Sequence, residues 1–274
     1  MKNLKLVVPY PLPLLGESLI EVGNPVLIST INFFTKVDVT FRESSEVRVP
    51  LTLLSLKRLI EDYLISINKR LVFYVNPPDQ DYLTLASVLY VIGPYSLEDY
   101  APNFLSKLSG RPLMIMIRAL AALSGGFVVC RKGEGLVSLN GSPEASVLLN
   151  TKKCTKSSSG ALKRFCESFP DLSQPLWHTL GHIVIEGSRA IRENDAKKLG
   201  SLMTVESSIS CAIGLIKPKD LARLSRIKSA YGAKIVSFGD FRGDLILSPS
   251  ETSPWDNYQK FTFTTEGVNE VDQG

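Results

Sequence analysis

The sequence of 274 residues has no long uninterrupted apolar run. Its most apolar stretch, residues 113–129, is broken by Arg118 and by Gly125 and Gly126, so it falls short of the roughly 18 apolar residues that a membrane span needs. Charge of one sign is scarce as well. Lys and Arg number 31 against 27 Asp and Glu, and the resulting +4 is too small and too scattered to call for a nucleic acid or an anionic membrane as partner. Pro9, Pro11 and Pro13 interrupt the first apolar run, and Gly16 and Glu17 follow in place of a small-residue cleavage site. The expectation is therefore a cytoplasmic protein.

Cysteine is limited to Cys130, Cys154, Cys166 and Cys211, with no C-x-x-C and no short-range partner for a metal cluster, so reduced thiols are expected. The two histidines, His178 and His182, share one helical face with Glu186, beside an apolar stripe of Leu176, Leu180, Ile183 and Ile191. A zinc site needs three or four converging ligands, so this face is read as solvated and no metal is expected. No repeat or coiled-coil heptad is present, and the only Ser-rich patch is the short 155–159 stretch.

What is there is an ordinary globular composition, 44% hydrophobic and 21% charged, in a chain long enough for one large or two modest cores. Residues 4–8 and 26–34 are β-rich, and 36–41 alternates as a half-buried strand does. From Leu53 the period changes: Leu53, Leu56, Leu59, Ile60, Tyr63, Leu64 and Ile67 fall on one helical face, followed by a strand at 71–75. A loop at 76–81 leads to a helix at 82–92. A Pro-punctuated linker at 93–112 precedes an apolar helix that Gly125 and Gly126 stop, after which 127–130 extends into a turn at 132–135. The second half reads as a strand at 145–149, helices around 160–168, 175–194, 196–210 and 218–231, and strands at 233–238, 245–248 and 260–264. This order predicts an α+β fold, a sheet with helices on one face, in two domains, 1–150 and 151–274.

Several stretches in register carry a likeness to a known family. Val8-Pro9-Tyr10-Pro11-Leu12 leads to Gly16-Glu17-Ser18 and then to Val22-Gly23-Asn24-Pro25-Val26. Arg118 precedes Gly125-Gly126. Asp195-Ala196-Lys197-Lys198-Leu199-Gly200-Ser201-Leu202-Met203 is followed later by Tyr231-Gly232-Ala233-Lys234-Ile235 and by Thr265-Glu266-Gly267-Val268. Across nearly the whole chain this resembles the GHMP kinase superfamily, and most of all archaeal mevalonate kinase. The resemblance implies a ribosomal-protein-S5-like α+β N-terminal domain and a ferredoxin-like α+β C-terminal domain.

It also implies chemistry that the sequence does not supply in the family's form. The phosphate loop of such kinases is glycine-rich, so that backbone amides and a helix N-terminus can hold the anion. The corresponding stretch, Pro77-Pro78-Asp79-Gln80-Asp81-Tyr82-Leu83-Thr84, contains no glycine, and Asp79 and Asp81 are expected to cap the helix themselves. The second glycine-rich loop is reduced to Gly239 and Gly243, which suffices for a tight hairpin. Where many family members place an aspartate to take the proton of the accepting hydroxyl, this chain has Arg118, which stays protonated and cannot be a base.

Arg118 is expected to pair with Glu17, Asp81, Asp240 or Asp244, or else to bind an anion. No catalytic residue is assigned. Positions facing a nucleotide would be Asp79, Gln80, Asp81, Thr84, Gly239 and Gly243; positions facing a substrate or anion would be Glu17, Ser18, Arg118, Lys152 and Thr155, with Lys234 and the basic 152–156 loop as further cations. Three readings stay open: a degenerate mevalonate-kinase-like protein serving as a binding or assembly partner, in a homo-oligomer or with a related kinase; an ATP- and Mg²⁺-dependent kinase of a small hydroxy acid; and an altered reaction on an acidic substrate. A cofactor is expected only under the second.

Overall fold

The structure, a computed structural model, describes residues 1–76, 81–93, 97–153, 159–227, 229–238, 241–250 and 257–271. The chain forms two compact units, one of residues 1–12, 28–138 and 264–274, the other of residues 13–27 and 139–263. The chain passes between them after residues 12, 27, 138 and 263. Asn150, near which the boundary was expected, lies inside a strand of the second unit.

The first unit is built on a sheet of β1 (Lys2–Leu15), β2 (Val26–Glu43), β3 (Leu71–Asn76), β4 (Phe127–Arg131), β5 (Gly135–Leu139) and β10 (Asn269–Glu270), ordered β10-β1-β2-β4-β5 with β3 also on β2. Four helices belong to it: α1 (Leu54–Ser66), α2 (Asp81–Ile92), α3 (Leu97–Ser106) and α4 (Gly110–Ser124). In α1 the buried side chains Leu56, Ile60 and Leu64 recur every four residues, as the amphipathic pattern requires. α2 and α4 pack on each other and bury Leu83, Leu85, Met116 and Leu120. At roughly 1.5–3 kcal/mol per buried aliphatic side chain, these contacts rather than helix propensity hold the layer together.

Three local readings change. β1 runs straight through Pro9, Pro11 and Pro13. Alternate residues of a strand point their N–H groups to the same side, so three prolines at a period of two remove donors from one edge alone and leave the other ladder intact. β2 is a single strand where two were expected. The segment read as a linker holds α3, with Pro102 inside it. There the burial of Ala101, Phe104 and Leu105 outweighs the ~3 kcal/mol that an internal proline costs.

The second unit carries a four-stranded antiparallel sheet in which β6 (Ser146–Lys153), β7 (Gly232–Phe238), β8 (Phe241–Ser248) and β9 (Gln259–Thr262) are ordered β7-β8-β6-β9. Its helices are α5 (Ser159–Ser168), α6 (Pro170–Arg192), α7 (Ala196–Ala212) and α8 (Pro218–Leu224). Leu148, Ala233, Ile235 and Ile246 form its core with Ile216 and Leu224. α7 approaches β7 so closely that a Cβ on Gly200 would stand 2.5 Å from the Tyr231 carbonyl carbon, and one on Gly232 would overlap the Gly200 backbone. The two glycine motifs singled out in the sequence are thus the two sides of one contact.

Candidate functional site

In the first unit the geometry centres on Arg118. It lies in α4, and its guanidinium carbon stands 4.1 Å from the ring centroid of Tyr82 and 5.2 Å from that of Tyr10. Tyr10 meets Tyr82 and Phe33 edge to face, at 6.0 and 5.9 Å. Such cation–π contacts are worth roughly 0.5–2 kcal/mol each and hold the cation to the ring faces. Burial pushes the Tyr82 hydroxyl well above its ordinary range, with the Arg118 charge pulling it partly back.

Three of the acids expected beside Arg118, Asp81, Glu17 and Asp244, are bonded to other groups. Asp81 begins α2, but its Oδ1 accepts from the Thr52 amide at 3.2 Å and from the Thr52 hydroxyl, and Arg111 lies 4.0 Å from its Oδ2. The carboxylate thus fastens the segment before α1 instead of capping its own helix. Thr84 is 1% exposed, and its hydroxyl oxygen is buried with no hydrogen-bond partner among the described residues. Asp79 and Gln80 lie outside the described residues.

In the second unit the geometry centres on Lys234 of β7, 3% exposed. Its ammonium donates to Glu17 Oε2 at 2.8 Å and to Glu206 Oε2 at 2.7 Å, while Glu206 Oε1 accepts the Gly16 amide at 2.7 Å. Burial pulls the Lys234 ammonium down, but the fields of Glu17 and Glu206 and their hydrogen bonds outweigh it, and the net shift is upward. Glu17 is therefore Lys234's partner, and Lys234 is no open cation. Ser18 is exposed on the same turn.

Asp244 accepts from Arg223 at 2.7 Å and from the Tyr258 hydroxyl at 2.8 Å, and Asp220 joins Arg223 and Arg242 at 3.8 and 3.5 Å. Burial, then the Asp244 carboxylate, pushes the Tyr258 hydroxyl up to about 12. Phe238 pairs with Phe241, which makes β7 and β8 a hairpin. Gly243, between Val236 and Thr151, has no room for a side chain because a Cβ would stand 2.6 Å from the Asn150 carbonyl oxygen. Its lack of a side chain serves strand packing. Gly239, Asp240 and Thr155 lie outside the described residues, and so does the side chain of Lys152.

His178 and His182 are exposed with ring centroids 6.3 Å apart, and Glu186 bonds to Arg189 and, at 2.9 Å, to Lys198. Among the described residues no group of three or more metal-ligating side chains converges, and no helix is long and apolar enough to cross a membrane. Cys130, Cys166 and Cys211 are free thiols. Glu206 is the participant that motif reasoning missed. The buried positions Ala196, Leu199, Gly200 and Met203 of α7 recur every three or four residues, and extending that stripe lands on Glu206, which marks it as an acid on the inner face.

No protein-family model and no curated protein sequence matches the chain. Solved structures do. Mevalonate kinase of L. major, solved with R-mevalonate, aligns at a TM-score of 0.64 and 14% identity over 95% of this chain and 96% of its own. Mevalonate diphosphate decarboxylase of Staphylococcus aureus aligns at 0.63 and 14% over 99% and 98%. The chain has the GHMP-kinase fold. Mevalonate-3-kinase of Thermoplasma acidophilum, at 0.63, 11% and 98% of both chains, adds a third chemistry to the GHMP neighbours. Two phosphorylation sites and a decarboxylation on one fold mean that a GHMP scaffold does not choose the reaction; its side chains do.

Proposed function

We propose that this GHMP-fold protein has given up phosphoryl transfer and acts as a binding or assembly partner. The observation that carries the reading is Arg118: where the resemblance places a base, a permanent cation is held against Tyr82 and Tyr10. Losing a positioned base typically costs ~10²–10⁴-fold in rate. Two further features support it. Asp81 puts an acid at the start of α2, where a phosphate would need donors, and Gly243 spends its freedom inside a sheet. Both features count against a triphosphate site.

Calorimetry and thermal unfolding with millimolar ATP and Mg²⁺ test this. A ligand of the native state must raise its stability by mass action, so an unshifted midpoint is expected. A rise of several degrees, with ADP release on adding mevalonate, would establish the kinase reading instead. Release of phosphate and CO₂ from a phosphorylated hydroxy acid would establish the altered reaction. Light scattering of the protein mixed with a mevalonate kinase checks assembly, with a 1:1 or higher-order complex expected.

A further inference from the structure

A second arrangement in the first unit lies outside the Arg118 cluster. Arg42 of β2 pairs with Val72 of β3, and beyond Glu43 the chain turns back so that Arg48 bridges to the same Val72 from its other side. Residues directly opposite each other share a sheet face, so two arginines flank one valine, with Tyr74 two residues further along that face and 51% exposed. The turn is pinned at both ends: the Ser44 and Arg48 amides donate to the Arg70 and Leu71 carbonyls at 3.0 Å, and the Phe73 amide donates to the Arg48 carbonyl at 3.0 Å.

These side chains, with the hydroxyls of Ser44 and Ser45, line a cavity of about 260 Å³. That is below the roughly 300 Å³ at which whole-ligand pockets begin, so it suits one head group. Arg42 makes no ion pair among the described residues. Among the described residues the Arg48 side chain forms one ion pair, with Glu46 at 3.0 Å, the two side chains being 70% and 63% exposed. An exposed pair of this kind is weak, so a dianion can displace it.

We propose that this cavity is a subsite for a phosphate monoester whose organic part is a flat ring. Arg42 and Arg48 supply forked donors matched to phosphate oxygens, the serine hydroxyls complete them, and the Tyr74 ring is the face on which the organic part lies. The assignment is independent of whether phosphoryl transfer occurs.

The test is a titration of the ¹⁵N-labelled protein with inorganic phosphate, ribose 5-phosphate and phenyl phosphate at constant ionic strength, following the amides of residues 44–48 and 72–74. Saturable shifts there are expected, tightest with phenyl phosphate. R42Q, at an exposed position that leaves the fold intact, is expected to weaken binding about tenfold, the loss of one charged hydrogen bond. E46Q removes the competing acid and is expected to tighten binding. Y74A is expected to erase the preference for phenyl phosphate, and R164Q, in the second unit, to change nothing. Shifts elsewhere only, binding indifferent to R42Q, a weaker E46Q, or equal affinity for the sugar and ring monoesters would each overturn the assignment.

Discussion

Lys234 and Glu206 are joined at 2.7 Å with their side chains 3% and 6% exposed, so a β7 cation and an α7 acid are removed from water as a pair. Breaking a buried pair by deleting one partner leaves an uncompensated charge and typically costs 3–5 kcal/mol. Lys234→Met is therefore expected to lower unfolding free energy by about that amount. Glu206→Gln, which keeps an acceptor for the Gly16 amide, is expected to cost less. Denaturant unfolding of both variants measures the difference.

The pair also sets a pH dependence. The Lys234 pKa is raised in the folded state, so its contribution is fully present below the ordinary lysine value of about 10.4 and is lost as pH rises through the folded one. The stability difference between the parent and Lys234→Met is expected to be flat from pH 7 to 10 and to shrink above that. A difference that instead collapsed between pH 4 and 7 would assign the effect to the glutamates alone.

Tyr258 is expected to ionise late, near pH 12, when followed by absorbance at 295 nm. Asp244→Asn removes its acceptor's charge and should bring the titration part of the way back toward 10, the remainder reflecting burial. Because the folded value is the higher, the stability tied to this tyrosine is present below about pH 10 and declines as pH climbs through the folded value.

Gly232→Ala drives a methyl group into the Gly200 backbone. Overpacking of this kind costs about 1–3 kcal/mol, and thermal unfolding should show it as a lower midpoint. A variant as stable as the parent would mean that α7 can slide along β7.

Arg118→Asp restores a carboxylate at the place where the resemblance puts the base. It is expected to yield no mevalonate-dependent ADP release, since positioning and electrostatic stabilisation of the phosphates make up nearly all of phosphoryl-transfer catalysis. Activity in this single variant would show that the chain already holds nucleotide, and would end the binding-partner reading.

The fold was legible wherever backbone constraint writes itself into residue type. Gly200, Gly232, Gly125 and Gly126 stand where a Cβ would meet other backbone or where φ is positive, and those needs persist after the chemistry has changed. α1 was legible from its period. α3 was not, because Pro102 outweighs the apolar spacing when burial is unknown. The site was legible only in its losses. A missing glycine or a misplaced arginine can be read along the chain, whereas Glu17, Lys234 and Glu206 are 217 and 28 residues apart in their pairings and are brought together only by packing. Nor does sequence show that Asp81 bonds to Thr52, 29 residues earlier.

Thr30 donates its hydroxyl to the Thr264 carbonyl at 2.7 Å and its own carbonyl accepts the Thr264 amide at 3.1 Å, while Gly125 abuts Glu266 and Gly267 and β10 pairs with β1. A sheet whose other strands all lie within residues 2–139 is thus closed by residues 264–270. During synthesis at roughly 5–20 residues per second, the first unit must wait, with β1 lacking one neighbour, until the whole second unit has left the ribosome. The edge strand of the first unit's sheet is therefore the last part the ribosome delivers, and it is a first unit without that strand that a chaperone would meet.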